Sequence, residues 1–135
     1  MSLNIKKAIF IVILIVLSVI LFTQTISPSV EFSVIEFEEN DFDFGNIKKN
    51  QPVKKYFIYK NIGKSPILIS NIQSSCGCTI PNWSKKRMNP NKKDSILILY
   101  DSKKVGKFSK SVYVHYNSEI KKPYKITING FVYKD

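Results

Sequence analysis

Two patterns in the 135 residues predict an all-β fold, an immunoglobulin-like β-sandwich of about seven strands, preceded by one N-terminal hydrophobic helix. The first is an almost unbroken apolar run from Ala8 to Phe22. The second begins at Val30, where apolar residues change to period two in short runs, interrupted by Gly, Pro and Asn at roughly ten-residue spacing. No window after position 30 keeps a helical period. A small barrel is the structural competitor. The expected division is therefore residues 1–29 as a signal anchor or signal peptide with a short linker, and 30–135 as one sandwich domain. About one hundred residues bury enough apolar surface to fold without staples.

The N-terminal run follows Lys6 and Lys7. Fifteen residues of helix reach about 22 Å, and continuing through residues 8–26 brings the length to about 28 Å, close to the roughly 30 Å hydrocarbon core of a bilayer. A cleavage site would need small residues, and Thr25 and Ser27 are followed at once by Pro28. An uncleaved single-pass anchor in the cytoplasmic membrane is the expectation, with Lys6 and Lys7 inside and the domain on the periplasmic side. The alternative is a secreted or periplasmic protein after cleavage. Either compartment permits disulfides.

The strands follow in order. Phe42 and Phe44 point inward between the acids of "EFSVIEFEENDFDFG", which lacks calcium-loop spacing and reads as the solvated side of an edge strand. Val53, Phe57 and Tyr59 share one parity, as do Leu68 and Ile72, then Ile96, Ile98 and Tyr100. The last two strands repeat the design with Val112, Val114 and Tyr116, and with Ile126, Ile128 and Val132. Turn chemistry separates them at "NIGKSP", "MNPNKKD" and "NSEIKKP". His115, the one histidine, has the parity opposite to its apolar neighbours and is expected to face solvent.

The net charge is +11, and with Lys6 and Lys7 set apart the domain still carries +9. Only Arg87 among the 21 basic residues is arginine, the side chain suited to bidentate phosphate and guanine contacts. Nucleic acid is therefore not the expected partner. With one His and no serine in a nucleophile-elbow context, a hydrolytic triad has little basis. No small-molecule substrate is indicated.

Both cysteines, Cys76 and Cys78, lie in "SNIQSSCGCTIPNW" with Gly77 between them. Alternate residues of a strand point to opposite faces, so the sulfurs meet only if the chain turns, which Gly77 would permit. Closing three residues is worth only about 1.6 kcal/mol by chain entropy, so stability is a weak reason for the pair. Three uses remain open: a structural disulfide or half-buried thiol pair under Pro81 and Trp83; a redox pair with thiolate favoured by Lys85, Lys86 and Arg87; or two ligands for copper or zinc.

Phe42-x-Phe44-Gly45, Asn61-x-Gly63, Ser75-Cys76-Gly77-Cys78-Thr79 with Pro81 and Trp83, and Gly106-Lys107-Phe108 follow one another in this order. Over Asp41 to Val132 the chain resembles the exported domain-of-unknown-function family 1573 of Gram-negative bacteria. The resemblance implies a fold similar to the immunoglobulin-like domains of the major sperm protein type, and implies no particular activity. Where the family pattern has Pro-Gly, this chain has Pro90-Asn91, and asparagine tolerates the left-handed conformation such a turn needs.

These readings converge on a non-enzymatic extracytoplasmic binding or assembly module without a cofactor, an accessory subunit that meets a protein partner in a cell-envelope complex. Strand addition at edges guarded by lysines is one route to that partner. The alternative is a thiol-disulfide redox or soft-metal protein working through Cys76 and Cys78, with Ser75, Gly77, Thr79, Pro81 and Trp83 shaping the turn.

Overall fold

The computed structural model describes residues 2–22, 32–118 and 122–135. The chain divides into two units, Met1–Val30 and Glu31–Asp135. The first holds α1 (Ser2–Phe22), in which Ile9, Phe10, Leu14 and Leu17 are among many exposed apolar side chains. The membrane span expected over residues 8–26 is not supported. Among the described residues no helix is long and apolar enough to cross a membrane. The side chains described in α1 run from Asn4 to Ile20, about 25 Å of helix, and the linker at 23–31 lies outside the described residues.

The second unit is a two-sheet sandwich of eight strands: β1 (Ile35–Phe37), β2 (Asp41–Lys48), β3 (Val53–Asn61), β4 (Ile69–Ser74), β5 (Thr79–Trp83), β6 (Lys93–Tyr100), β7 (Gly106–Tyr116) and β8 (Tyr124–Tyr133). Sheet A has the order β1-β3-β6-β5 and sheet B the order β2-β8-β7-β4. All pairings are antiparallel except β2 with β8. The count exceeds the expected seven because β1, only three residues long, pairs with the end of β3 at Asn61, Lys60 and Tyr59.

Alternation locates most of the core. Phe57, Ile96, Ile98, Val112, Val114, Ile126, Ile128 and Val132 are fully buried between the sheets, and Tyr59 and Tyr100 nearly so. In β4 a single parity fails. The register shifts between Ile69 and Asn71, so Ile67, Ile69 and Ile72 all turn inward and Leu68 is only half-buried. A bulge adds one residue and reverses the side-chain alternation beyond it.

The edges are guarded by shape more than by lysines. β1 is short, β2 breaks register between Asp43 and Asn46, β4 is bulged, and β5 carries Pro81, which has no amide hydrogen to donate. Neither β4 nor β5 contains a lysine.

The Tyr59 hydroxyl is pushed up to about 12, first by burial and then by the Asp94 carboxylate. Tyrosine in the unfolded chain ionises near 10. Between those values the unfolded chain releases a proton that the folded chain keeps, so stability falls as pH rises through that window and is untouched below it. Tyr59→Phe is expected to flatten alkaline unfolding measured from pH 9 to about 12. An unchanged slope would contradict the assignment.

Candidate functional site

The turn from Ser75 to Cys78 carries the chain from β4, the edge of sheet B, to β5, the edge of sheet A. Cys76 and Cys78 are joined as a disulfide, their Cα atoms 5.3 Å apart. Backbone contacts hold the turn on both sides. The Ser75 N–H donates to Ser111 O (2.9 Å) and the Asp101 N–H donates to Cys78 O (3.0 Å). The Ser74 hydroxyl donates to Cys76 O (2.7 Å), and the Ser111 N–H donates to the Ser75 hydroxyl oxygen (3.1 Å). Buried Thr79 places its hydroxyl 3.5 Å from Cys76 Sγ and 4.0 Å from Cys78 Sγ.

Several expected roles change here. Gly77 is exposed, its φ lies outside the left-handed region, and a Cβ would meet nothing within 4 Å, so the backbone does not require glycine at this position. Trp83 does not cap the sulfurs. It lies at the other end of β5, about 13 Å along the strand from Thr79, where its indole N–H donates to Ile69 O (3.4 Å) at the start of β4. The disulfide thus ties one end of the β4–β5 crossover and the indole bridges the other. Lys85 sits over the Trp83 ring at 3.1 Å, so the basic run that follows Trp83 is not placed to favour a thiolate at Cys76. His115 lies opposite Asn71, with Nε2 3.2 Å from Gln73 Oε1. Among the described residues no group of three or more His, Cys, Asp or Glu is placed to hold a metal ion. As a disulfide the pair offers no thiolate, so copper or zinc would require its reduction first.

A second surface comes from residues that strand alternation passes over. The outward face of sheet A is apolar across three strands. Tyr56 (52% exposed), Ile58 (40%) and Ile80 (53%) stand on it with half-buried Leu97 and Leu99. The register makes them neighbours: Tyr56 pairs with Leu97, and Leu99 lies between Lys54 and Ile80. The patch extends about 10 Å across the strands and about 13 Å along them, from Ile58 opposite Ser95 to Ile80 opposite Leu99. The centre of the outward face of sheet B holds Ser109, Ser111, Thr127 and Asn129. A signal for this asymmetry was present in "YFIY" and "ILILY", runs apolar at both parities, as in strands covered on both faces.

Beside this face, the loop between β5 and β6 frames a hollow of about 370 Å³ with Lys86, Arg87, Lys92, Lys93 and Asp94 in its lining. Met88 is buried and bridges Ile67, its N–H donating to Ile67 O (2.8 Å) and its carbonyl accepting from the Ile67 N–H (2.9 Å). Asn91 holds the left-handed conformation expected of it, with φ of 63°.

The family description "Protein of unknown function (DUF1573)" matches residues 35–132. The chain belongs to this family. No curated protein matches the sequence. Among solved structures, a protein of unknown function from Porphyromonas gingivalis W83 is similar at TM-score 0.67 and 11% identity, over 81% of this chain and 51% of that one. The chain therefore spans about half of that protein's length. PapD-like domain 7 of human CEP192 is similar at 0.66 and 8%, over 84% and 96%. A Caenorhabditis elegans major sperm protein family member, WR4, is similar at 0.52 and 10%, over 75% and 99%. At these identities the likeness is one of fold. The DUF1573 segment takes in the disulfide turn, the apolar face of sheet A and the basic hollow.

Proposed function

We propose that this immunoglobulin-like sandwich is a non-enzymatic binding module outside the cytoplasm, an accessory subunit that docks a protein partner of the cell envelope on the outward face of sheet A. One observation carries the reading: Tyr56, Ile58 and Ile80 stay exposed together on a sheet face, while the equivalent centre of sheet B is polar. A contiguous apolar patch rimmed by polar residues is the mark of a docking surface. The PapD-like and major sperm protein likenesses support the scaffold.

The test uses the full chain, solubilised in neutral detergent and captured with its native partner. Ile58→Glu and Ile80→Glu each place a charge on the patch and are expected to reduce partner recovery tenfold or more, by roughly 1.4 kcal/mol or above. Tyr113→Glu, on sheet B, should retain it. Wild-type protein recovered alone at stoichiometric yield would sink the reading.

For location, the arrangement proposed is attachment at the cytoplasmic membrane through the exposed apolar side chains of α1, with the sandwich on the periplasmic side. Resistance of the full chain to alkaline carbonate extraction is the expected result. Release into the supernatant would instead favour a processed periplasmic form.

A thiol-disulfide exchange role has one observation in its favour: the half-buried sulfurs flank Gly77, which stands exposed with open space around it. Cys76→Ser with Cys78→Ser separates the two readings. The three-residue loop contributes little, so urea unfolding should shift by no more than about 1.6 kcal/mol. A binding module keeps its partner in this variant. An exchange protein loses function with its fold intact.

A further inference from the structure

The apolar face and the basic hollow share one strand, β6. On β6 the outward residues run Lys93, Ser95, Leu97, Leu99, so the strand that crosses the patch enters the hollow at its first residue. β3 runs alongside it, with Lys60 opposite Lys93 and Ile58 opposite Ser95. Like charges directly opposed across two strands cost stability unless something negative lies between or beside them. Glu38 supplies part of that charge, accepting from the Lys93 ammonium at 2.6 Å. Asp94, the one carboxylate lining the hollow, accepts from the Ser95 N–H at 2.7 Å. Lys86, Arg87 and Lys92 remain as the cations that shape it.

The hollow is held in shape by its own loop. The Lys86 N–H donates to the Ser84 hydroxyl oxygen (3.2 Å), the Lys92 N–H donates to Asn89 O (3.3 Å), and Met88 is pinned to Ile67 on both sides. A loop fixed in this way loses little entropy on binding. It also contains Arg87, the only arginine of the chain, whose planar fork matches a carboxylate in two hydrogen bonds.

We infer that the partner docks through a segment combining acidic and apolar side chains, its carboxylates entering the hollow at Lys86, Arg87 and Lys92 and its apolar residues covering Ile58, Tyr56, Leu97 and Ile80. This rests on the binding-module reading and names the chemistry of its partner. A second copy of the chain would bring another domain charge of +9 to the same place, so charge opposes self-association. A flat anionic bilayer would meet the lysines and the exposed Arg87 through its phosphates but would give no register between those cations and the apolar residues of β3, β5 and β6, and the vesicle arm of the test below separates the two.

The probe is a synthetic peptide with blocked ends that alternates leucine and glutamate, titrated into the 15N-labelled full chain in neutral detergent micelles. Its counterpart has glutamine in place of glutamate. Expected is binding of the acidic peptide below about 1 mM, with amide shifts at residues 56–58, 80, 86–93 and 97–99 and none at 109–111 or 127–129. Arg87→Gln and Ile80→Glu should each weaken it roughly tenfold, and about 0.5 M salt should weaken it several-fold. Arg87 and Ile80 are both exposed, and an unchanged spectrum elsewhere shows that each variant folds. Equal binding of the glutamine peptide would overturn the acidic partner while leaving the docking face in place. Shifts at the β2 or β4 edge, no binding of either peptide, or binding only to phosphatidylglycerol vesicles would overturn the proposal outright.

Discussion

Gly63→Ala is expected to cost at least about 3 kcal/mol, enough to unfold much of a domain of ordinary stability. A Cβ at Gly63 would lie 2.3 Å from Phe32 O, 2.5 Å from Val34 N and 3.1 Å from Ser33 Cα. All three are backbone atoms, so no side chain can rotate out of the way. The segment they belong to is itself held: the Ile62 N–H donates to Val34 O and the Lys64 N–H to Phe32 O, each at 3.0 Å. Admitting one methyl group means breaking those bonds and moving the chain that leads into β1. Pairing of β1 with β3 begins one residue later, at Ile35 opposite Asn61, so the edge of sheet A would loosen with it. Urea unfolding of the full chain in detergent, followed by fluorescence of its single tryptophan, Trp83, reads the effect. A midpoint matching wild type would show that the close approach is not maintained.

Asn61→Ala is expected to destabilise by about 3 kcal/mol and to weaken the basic hollow more than the rest of the fold. Asn61 is fully buried. Its Nδ2 donates to Met88 O (3.0 Å) and Ser65 O (2.9 Å), and its Oδ1 accepts from the Gly63 N–H (3.0 Å). Its own N–H donates to Lys92 O (3.0 Å) and its carbonyl accepts from the Asn91 N–H (2.8 Å). One side chain therefore joins the turn at Gly63 to the loop that carries Arg87. Alanine keeps the backbone bonds and leaves polar groups in the interior without their side-chain partner, which costs more than an absent bond alone. Amide exchange at Ile67 and Met88, which bond each other beside this asparagine, should accelerate roughly a hundredfold. Acceleration spread evenly over both sheets would mean that Asn61 supports the fold generally and not this loop.

Period-two patterning located β3, β6, β7 and β8 because those strands stay regular from end to end: Phe57, Ile96, Val112 and Ile128 lie inside as their parity requires. It failed in β4, where a bulge between Ile69 and Asn71 reverses the alternation, and it passed over β1, whose three residues are too few to show a period. The Cys76–Cys78 pairing was among the readings left open from proximity in sequence, whereas the distance from the sulfurs to Trp83 was not. Residues on one strand read as neighbours in a sequence can be several strand steps apart in space.

Local spacing and turn chemistry are written residue by residue, so the two-sheet class, most of the buried residues, the left-handed turn at Asn91 and membership of the DUF1573 family were legible before the fold was known. Which side chains share a surface depends on the pairing of the strands. Tyr56, Ile58, Ile80, Leu97 and Leu99 become one patch through the pairing of β3, β6 and β5, and Arg87 comes beside it because Asn61 and Ile67 hold the loop there. Contacts of that kind join residues far apart in sequence, from 19 positions for Ile80 and Leu99 to 41 for Tyr56 and Leu97, and strand order, which no local pattern contains, sets them.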